Sequence, residues 1–468
     1  MKQLLTFFFT TLLAAQTWAT NFDFSAKTPS GQTLFYAITG STEPYTVVVV
    51  YPNYSKDDND FYSGYPKPAG TLEIPSSVTN GEITYSVTSI DGYAFTGCSG
   101  LKSVAIPESV ESIDGYAFFG CSGLTSVTIP NSVTSIGSCA FSGCSGLKSV
   151  AIPESVESID DYAFSGCSGL TSVTIPNSVT SIGSSAFEEC SNLTTVTISE
   201  GVTNIGETAF FRCFSLTSVT IPNSVTSIGD MAFDYCTSLA SVAIGNSVTS
   251  IGSSAFEDCI SLASIVIAEE NTKYDSRNNC NAIIETETNT LVLGCKNTII
   301  PNTITSIGWF AFYHCKDLTS VSIPNSVTYI GGNAFVDCSN LTSVTIPNTV
   351  TYIGNGAFAF CANATIYCEE EGEPDEWDRH WNESGGKVVW GSEMPTAVDS
   401  EASTNVKIYA TSNIVIVENP KNEIFVYNAM GRLVGRDVAC RVRAAITVKG
   451  AGVYIVKTGG VVKRVVVD

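Results

Sequence analysis

From Leu170 to Cys190 the chain reads LTSVTIPNSVTSIGSSAFEEC, and its apolar positions follow two rhythms. In LTSVTI, Leu170, Val173 and Ile175 stand at i, i+3 and i+5. That is the spacing of a short strand entered through a turn, with Thr171, Ser172 and Thr174 facing outward. Pro176 follows the last apolar residue of the run, a place that suits a strand end because proline lacks the N–H a ladder needs. In SSAFEEC, Ala186, Phe187 and Cys190 share one face of a short helix or tight turn, since positions i and i+4 align. Gly183 sits where the chain bends into that segment.

The same phrase restarts every 23 residues, at Ile106, Ile129, Ile152, Ile175, Ile198, Ile221 and Ile244, and again at Ile300, Ile323 and Ile346. An earlier copy at Ile74 carries the extra segment NGEITYSVT, and IPESVESIDGYAF and IPESVESIDDYAF start 46 residues apart, the mark of duplication in pairs. A unit this short cannot bury its own apolar face. Stacked copies can, with like residues piled on like about 4.8 Å apart and the phenylalanines supplying much of a continuous core.

The consensus LxxLxIPxSVxxIGxxAFxxCxxL resembles the leucine-rich repeats of BspA-like surface proteins, over about Leu72 to Cys368. The resemblance implies an α/β fold: a right-handed leucine-rich-repeat solenoid with a concave parallel sheet and short helices or turns on its convex side. YDSRNNCNAIIETETNTLVLGCKNTIIP, within a variant insert at 267–299, resembles a recurrent variant unit of the same group and predicts a hairpin on one coil. If the strands line the concavity, the candidate binding face is Lys102, Thr125, Ser126, Thr128, Lys148, Thr171, Ser172, Thr174, Thr194, Thr195 and Thr197. Such a hydroxyl-rich face suits extended proteins or glycans, although threonine is also simply a good strand residue.

The ends are not repeats. Residues 1–19 carry a lysine, then the apolar run Leu4 to Ala15, then small residues at Thr17 and Ala19: a secretory signal peptide, too short to span a bilayer. Residues 20–71 read as an N-terminal β cap, with LFYAIT and YTVVVVYP as strands around a GSTEP turn. After the repeats at 72–368 come an acidic cap with tryptophans and a linker at 369–400. Residues 401–468 then read as a small all-β domain. Its VYNAMGRLV, GVYIVKTGG and VKRVVV runs resemble the C-terminal sorting domain of type IX secretion. That implies the secretion machinery as a partner and the outer surface of a Bacteroidetes-type bacterium, or its surroundings, as the destination.

Composition narrows the functional classes. Hydrophobic residues make up 44% and charged residues 15%, which rules out a disordered chain. The net charge of −22 argues against nucleic acid or an anionic membrane as partner, since both carry the same sign. No segment after the signal peptide is apolar for long enough to cross a membrane.

One cysteine recurs in nearly every copy, from Cys98 and Cys121 through Cys190 to Cys361. Translated copies have parallel Cα–Cβ vectors, whereas a disulfide needs its sulfurs turned toward each other, and zinc needs four converging ligands. The column therefore reads as buried core thiols ahead of scattered disulfides or a metal site. Cys280 and Cys295 flank the predicted hairpin and form the one candidate disulfide. Two histidines, His314 and His380, leave little material for a catalytic triad, and both read as exposed. No cofactor motif is present. The functional reading is a non-catalytic secreted or surface protein that adheres to host or neighbouring-cell macromolecules. A structural surface scaffold is the alternative, and a glycan-active enzyme with its site in the acidic cap is the third.

Overall fold

The computed structural model describes residues 21–54 and 60–392, together with backbone strands between Lys407 and Val467. Each copy of the phrase forms one coil of a parallel β-solenoid. The long strand Ser172–Ile175 pairs in parallel with its counterpart one copy later, Ser172 beside Thr195, Val173 beside Val196, Thr174 beside Thr197 and Ile175 beside Ile198. Val173 and Ile175 point inward and are buried, while Ser172 and Thr174 are exposed. A second column of two-residue strands, absent from the sequence reading, stacks Ser158–Ile159, Ser181–Ile182 and Asn204–Ile205 in the same register. Its isoleucines complete the core opposite the long strands.

The AFEEC segment is a ribbon of turns rather than a helix, and the reason is visible in its hydrogen bonds. The N–H groups of Ala186, Glu188 and Cys190 bond within the coil, to Gly183, Ser185 and Phe187. Those of Ser185, Phe187 and Glu189 bond instead to the next coil, at Glu207, Ala209 and Phe211. A helix would consume all of these donors internally and leave the neighbouring carbonyls unpaired. The alternation needs left-handed backbone at two points per coil, here Ser185 (φ 53°) and Glu189 (φ 55°), which is incompatible with helix continuation. Among the described residues the one helical element is the 3-10 turn Arg277–Asn279. Gly183 sits within the coil-to-coil contact: a Cβ there would lie 2.6 Å from the carbonyl carbon of Asp160.

The phenylalanine column forms the axis of the core. From Phe95 to Phe256 successive rings stack nearly parallel, with centroids 4.9–5.4 Å apart. Phe312, Phe335 and Phe358 resume the stack at 4.8 Å. Between the two runs lies the variant unit, with the expected hairpin pairing Ile283–Glu285 against Thr290–Leu293. Gly294 there donates its N–H to Ala311, the bond that the phenylalanines make in ordinary coils. It has no side chain for good reason, because a Cβ would stand 2.1 Å from the Phe312 ring.

At one end, Phe24–Lys27, Thr33–Gly40 and Thr46–Val50 pair antiparallel in series, and the last of them joins the short-strand column through Ile83–Ile90. At the other, Trp381 packs edge-on against Phe358 at 5.9 Å, and Trp377 donates its indole N–H to Val350 O at 3.2 Å. Beyond residue 392 the described strands pair antiparallel, among them Ile424–Asn428 with Gly452–Thr458 and Gly452–Thr458 with Val461–Val467. The signal-peptide reading falls outside the described residues.

Phe187 is fully buried between Phe164 and Phe210. Phe187→Ala is expected to cost about 3–5 kcal/mol in denaturant unfolding, and a loss below about 1 kcal/mol would overturn its place in the core.

Candidate functional site

All eleven residues of the predicted binding face are exposed; Thr125, Lys148, Thr171 and Thr194 immediately precede long strands and the other seven lie on them, Ser172 and Thr174 in register with Thr195 and Thr197. They are not chemically alike. Thr125, Thr171 and Thr194 donate their hydroxyls to carbonyl oxygens of the preceding coil, Lys102, Lys148 and Thr171, at 2.8, 3.5 and 3.0 Å. Their protons are committed, and only lone pairs face solvent. Ser126, Thr128, Ser172, Thr174, Thr195 and Thr197 make no side-chain hydrogen bond within the described chain, so each keeps both donor and acceptor for a ligand. Where Ser172 and Thr174 pair with Thr195 and Thr197, the result is a grid of free hydroxyls, about 4.8 Å apart between coils and about 6.7 Å along a strand. Lys102 and Lys148 are its exposed cations.

The recurrent cysteines lie on the inner side. Those from Cys98 to Cys361 are free thiols, buried except for the half-buried Cys315. They are more than filler. Cys190 Sγ donates to Phe164 O at 3.3 Å, and the same bond recurs from Cys121 to Phe95 at 3.1 Å and from Cys361 to Phe335 at 3.0 Å. Each of these carbonyls already accepts the N–H of its own coil's cysteine, so the thiol fills the second lone pair. Burial pushes the Cys190 thiol up to about 12, which removes its thiolate chemistry at ordinary pH.

Cys280 and Cys295 are also free, so the candidate disulfide is not formed. Cys280 packs with the core that follows the insert and Cys295 with the core that precedes it. The sulfurs have separate partners: Ser276 Oγ lies 4.0 Å from Cys280 Sγ, and Cys295 Sγ donates to Asn281 O at 3.4 Å.

One polar cluster was not anticipated. His314, expected at the surface, is half-buried and its Nδ1 bonds to the buried Asp258 carboxylate across the insert. Asp234 is buried nearby with one carboxylate oxygen unpartnered. Burial first, then the charges of Glu257 and Asp258, raise its pKa to about 7. The adjoining cleft, lined by Glu257, Gly294, Tyr313 and His314 among others, holds about 30 Å³. That is room for a water or two and not for a substrate. A larger open cleft of about 370 Å³ lies among Glu373, Arg379, His380, Trp381, Glu383 and Trp390. Glu373 there accepts the Trp381 indole N–H at 2.9 Å, a structural bond. Among the described residues no three His, Cys, Asp or Glu side chains converge as metal ligands, and no helix is long and apolar enough to cross a membrane.

A family model for the BspA type leucine rich repeat region matches in six copies over residues 74–174, 157–284 and 289–371. The chain belongs to the BspA-type leucine-rich repeat family. Among solved structures it is similar to a leucine rich cell surface protein of Faecalibacterium prausnitzii. That match is 26% identical with a TM-score of 0.52, and covers 79% of this chain and 95% of that one. A leucine-rich repeat protein of Bacteroides ovatus also matches, at 25% identity, TM-score 0.49 and coverage of 76% and 98%. No curated protein matches. In this BspA-type chain the second strand column and the His314–Asp258 contact escaped the sequence reading. A two-residue strand is too short to show a period, and the contact bridges 56 positions across a break in the repeat.

Two measurements check this site chemistry. Thiol titration of denatured, unreduced protein should find the described cysteines free, while the native protein should react slowly at pH 8; mainly oxidised cysteines would restore a disulfide framework. For Asp234 the folded pKa of about 7 exceeds the unfolded value near 3.9, so the folded state retains a proton the unfolded chain releases. Stability should therefore fall as pH rises from about 4 to about 7. Asp234→Asn should remove that slope and unfold at higher temperature than wild type at pH 8, with a smaller difference at pH 4; an unaltered pH profile would refute the assignment.

Proposed function

We propose that this BspA-type chain is a non-catalytic surface protein that adheres to extracellular proteins or glycans through the hydroxyl grid of its long strands. The observation that carries this reading is the grid itself, whose free donors and acceptors stand in register on neighbouring coils, as at Ser172 and Thr174 beside Thr195 and Thr197. An extended ligand with a repeating polar backbone can match such a lattice at several points, and the combined contacts give avidity that no single hydroxyl provides. The Faecalibacterium prausnitzii relative is described as a cell surface protein, and together with the apolar leader this supports a location outside the cell. The basic C-terminal segment, with nine Lys and Arg against three Asp and Glu from Lys421 onward, serves as the export signal read by type IX machinery in a Bacteroidetes-type bacterium.

One experiment tests both parts. The full chain and a version lacking Val426–Asp468 are expressed in a type IX-competent host, located by fractionation, and the full chain is screened against immobilised matrix proteins and glycans. Saturable binding is expected, falling by roughly tenfold or more in Ser172→Arg/Thr197→Arg. No saturable binding would leave the scaffold role in its place. The truncated chain should remain in the periplasm, and unchanged surface display would defeat the sorting role.

A further inference from the structure

The repeat supplies its own internal control. An outward position carries no core constraint, so most coils fill it with a small or polar residue, and departures on adjoining coils that touch one another point to another cause. The residue after the IG or ID turn is Gly92, Gly115, Ser138, Asp161, Ser184, Glu207, Asp230 or Ser253 in earlier coils, and Gly332 or Asn355 in later ones. In one coil it is Trp309, which is 58% exposed. The first residue of the short strands is Ser135, Ser158, Ser181, Asn204, Ser227, Ser250 and Ser306 along the stack. It changes to Tyr329 and Tyr352 only in the two coils that follow Trp309.

These three aromatic residues form one surface. The Trp309 indole N–H donates to Tyr329 Oη at 3.1 Å, and the Tyr329 and Tyr352 rings stack at 4.9 Å. The six-membered edge of the indole comes so close to Gly332 that a Cβ there would lie 3.0 Å from Cζ3. The ring is thus held on one side and by its N–H, with the remaining face open to solvent. An immobilised aromatic face loses little freedom when a ligand settles on it.

We propose that Trp309, with Tyr329 and Tyr352, is a stacking platform for a neutral pyranose unit of a glycan. The surroundings favour an uncharged, hydroxyl-bearing occupant. Thr305, Thr328 and Thr351 run beside the platform, each donating to the preceding coil and offering lone pairs outward. On the variant unit that precedes this coil, Lys273 pairs with Glu285 at 2.8 Å and Arg277 with Asp275 at 2.7 Å. A peptide's apolar side chain gains most from a pocket that encloses it, and neither of the two clefts described above includes these aromatic residues. A pyranose matches better: its C–H face meets the electron-rich indole face, and its rim of hydroxyls meets threonine and tyrosine oxygens.

The site lies on the short-strand column, apart from the long-strand grid, so either can fail without the other. Full-length protein is titrated with cello-, manno-, galacto- and chito-hexaose, and with a heparin hexasaccharide as anionic control, by calorimetry and tryptophan fluorescence. At least one neutral probe should bind saturably with a change in indole emission. Trp309→Ala should weaken it by roughly tenfold or more, Trp309→Phe should retain most of it, and Ser172→Arg/Thr197→Arg should leave it unchanged. Thermal melts matching wild type certify that the variants fold. Absence of saturable binding to every neutral probe, equal affinity in Trp309→Ala, or binding of the heparin fragment alone would overturn the proposal.

Discussion

The structure depends on satisfying backbone hydrogen bonds between coils about 5 Å apart. From Ser185 to Cys190 the donors alternate between two destinations, their own coil and the next, and the same pattern recurs in other coils. This explains features that otherwise look unrelated. Alternation forces a left-handed residue at Ser185 and again at Glu189, and in early coils the second of these is glycine, as at Gly143 and Gly166. It leaves each phenylalanine carbonyl with a spare lone pair that only a small buried donor can reach, and the cysteine thiol is that donor. The cysteine therefore recurs for its proton and its size, not for its redox chemistry.

Coil-to-coil bonding also fixes the side-chain columns. Once backbones are in register, identical residues must lie on one another, and a ring stacked on a ring is the arrangement that leaves least void. The same rule makes the variant unit costly to insert. It interrupts the phenylalanine stack, and the chain meets the interruption with Gly294, whose missing side chain admits the Phe312 ring. The His314–Asp258 contact and the unpartnered Asp234 oxygen gather at the same place, where the repeat has lost its exact translation. Irregular chemistry collects where regular packing stops.

What the sequence disclosed follows from that physics. The 23-residue period, the buried Leu, Val, Ile, Ala, Phe and Cys columns and the outward Thr and Ser positions were all legible, because each is imposed by translation of a single unit. The choice between helix and turn at Ala186–Cys190 was not, because both place the same residues inward and differ only in where the N–H groups bond. The Cys280–Cys295 pairing was misjudged for a related reason: sequence places both beside a hairpin, while the fold assigns their sulfurs to cores on opposite sides of it.

Outer positions obey a different logic. Inward residues are repeated because stacking punishes any change, so their sameness says nothing about function. Outward residues are free to drift, and where they stay alike, as along Ser172, Thr195 and Ser218, strand propensity alone accounts for part of the agreement. Departure is then the more informative signal. Replacing a small polar residue by an exposed indole adds apolar surface to water, which folding does not favour. A tryptophan in that position, braced by a tyrosine that also departs from its column, has its explanation outside the fold and in what the surface meets.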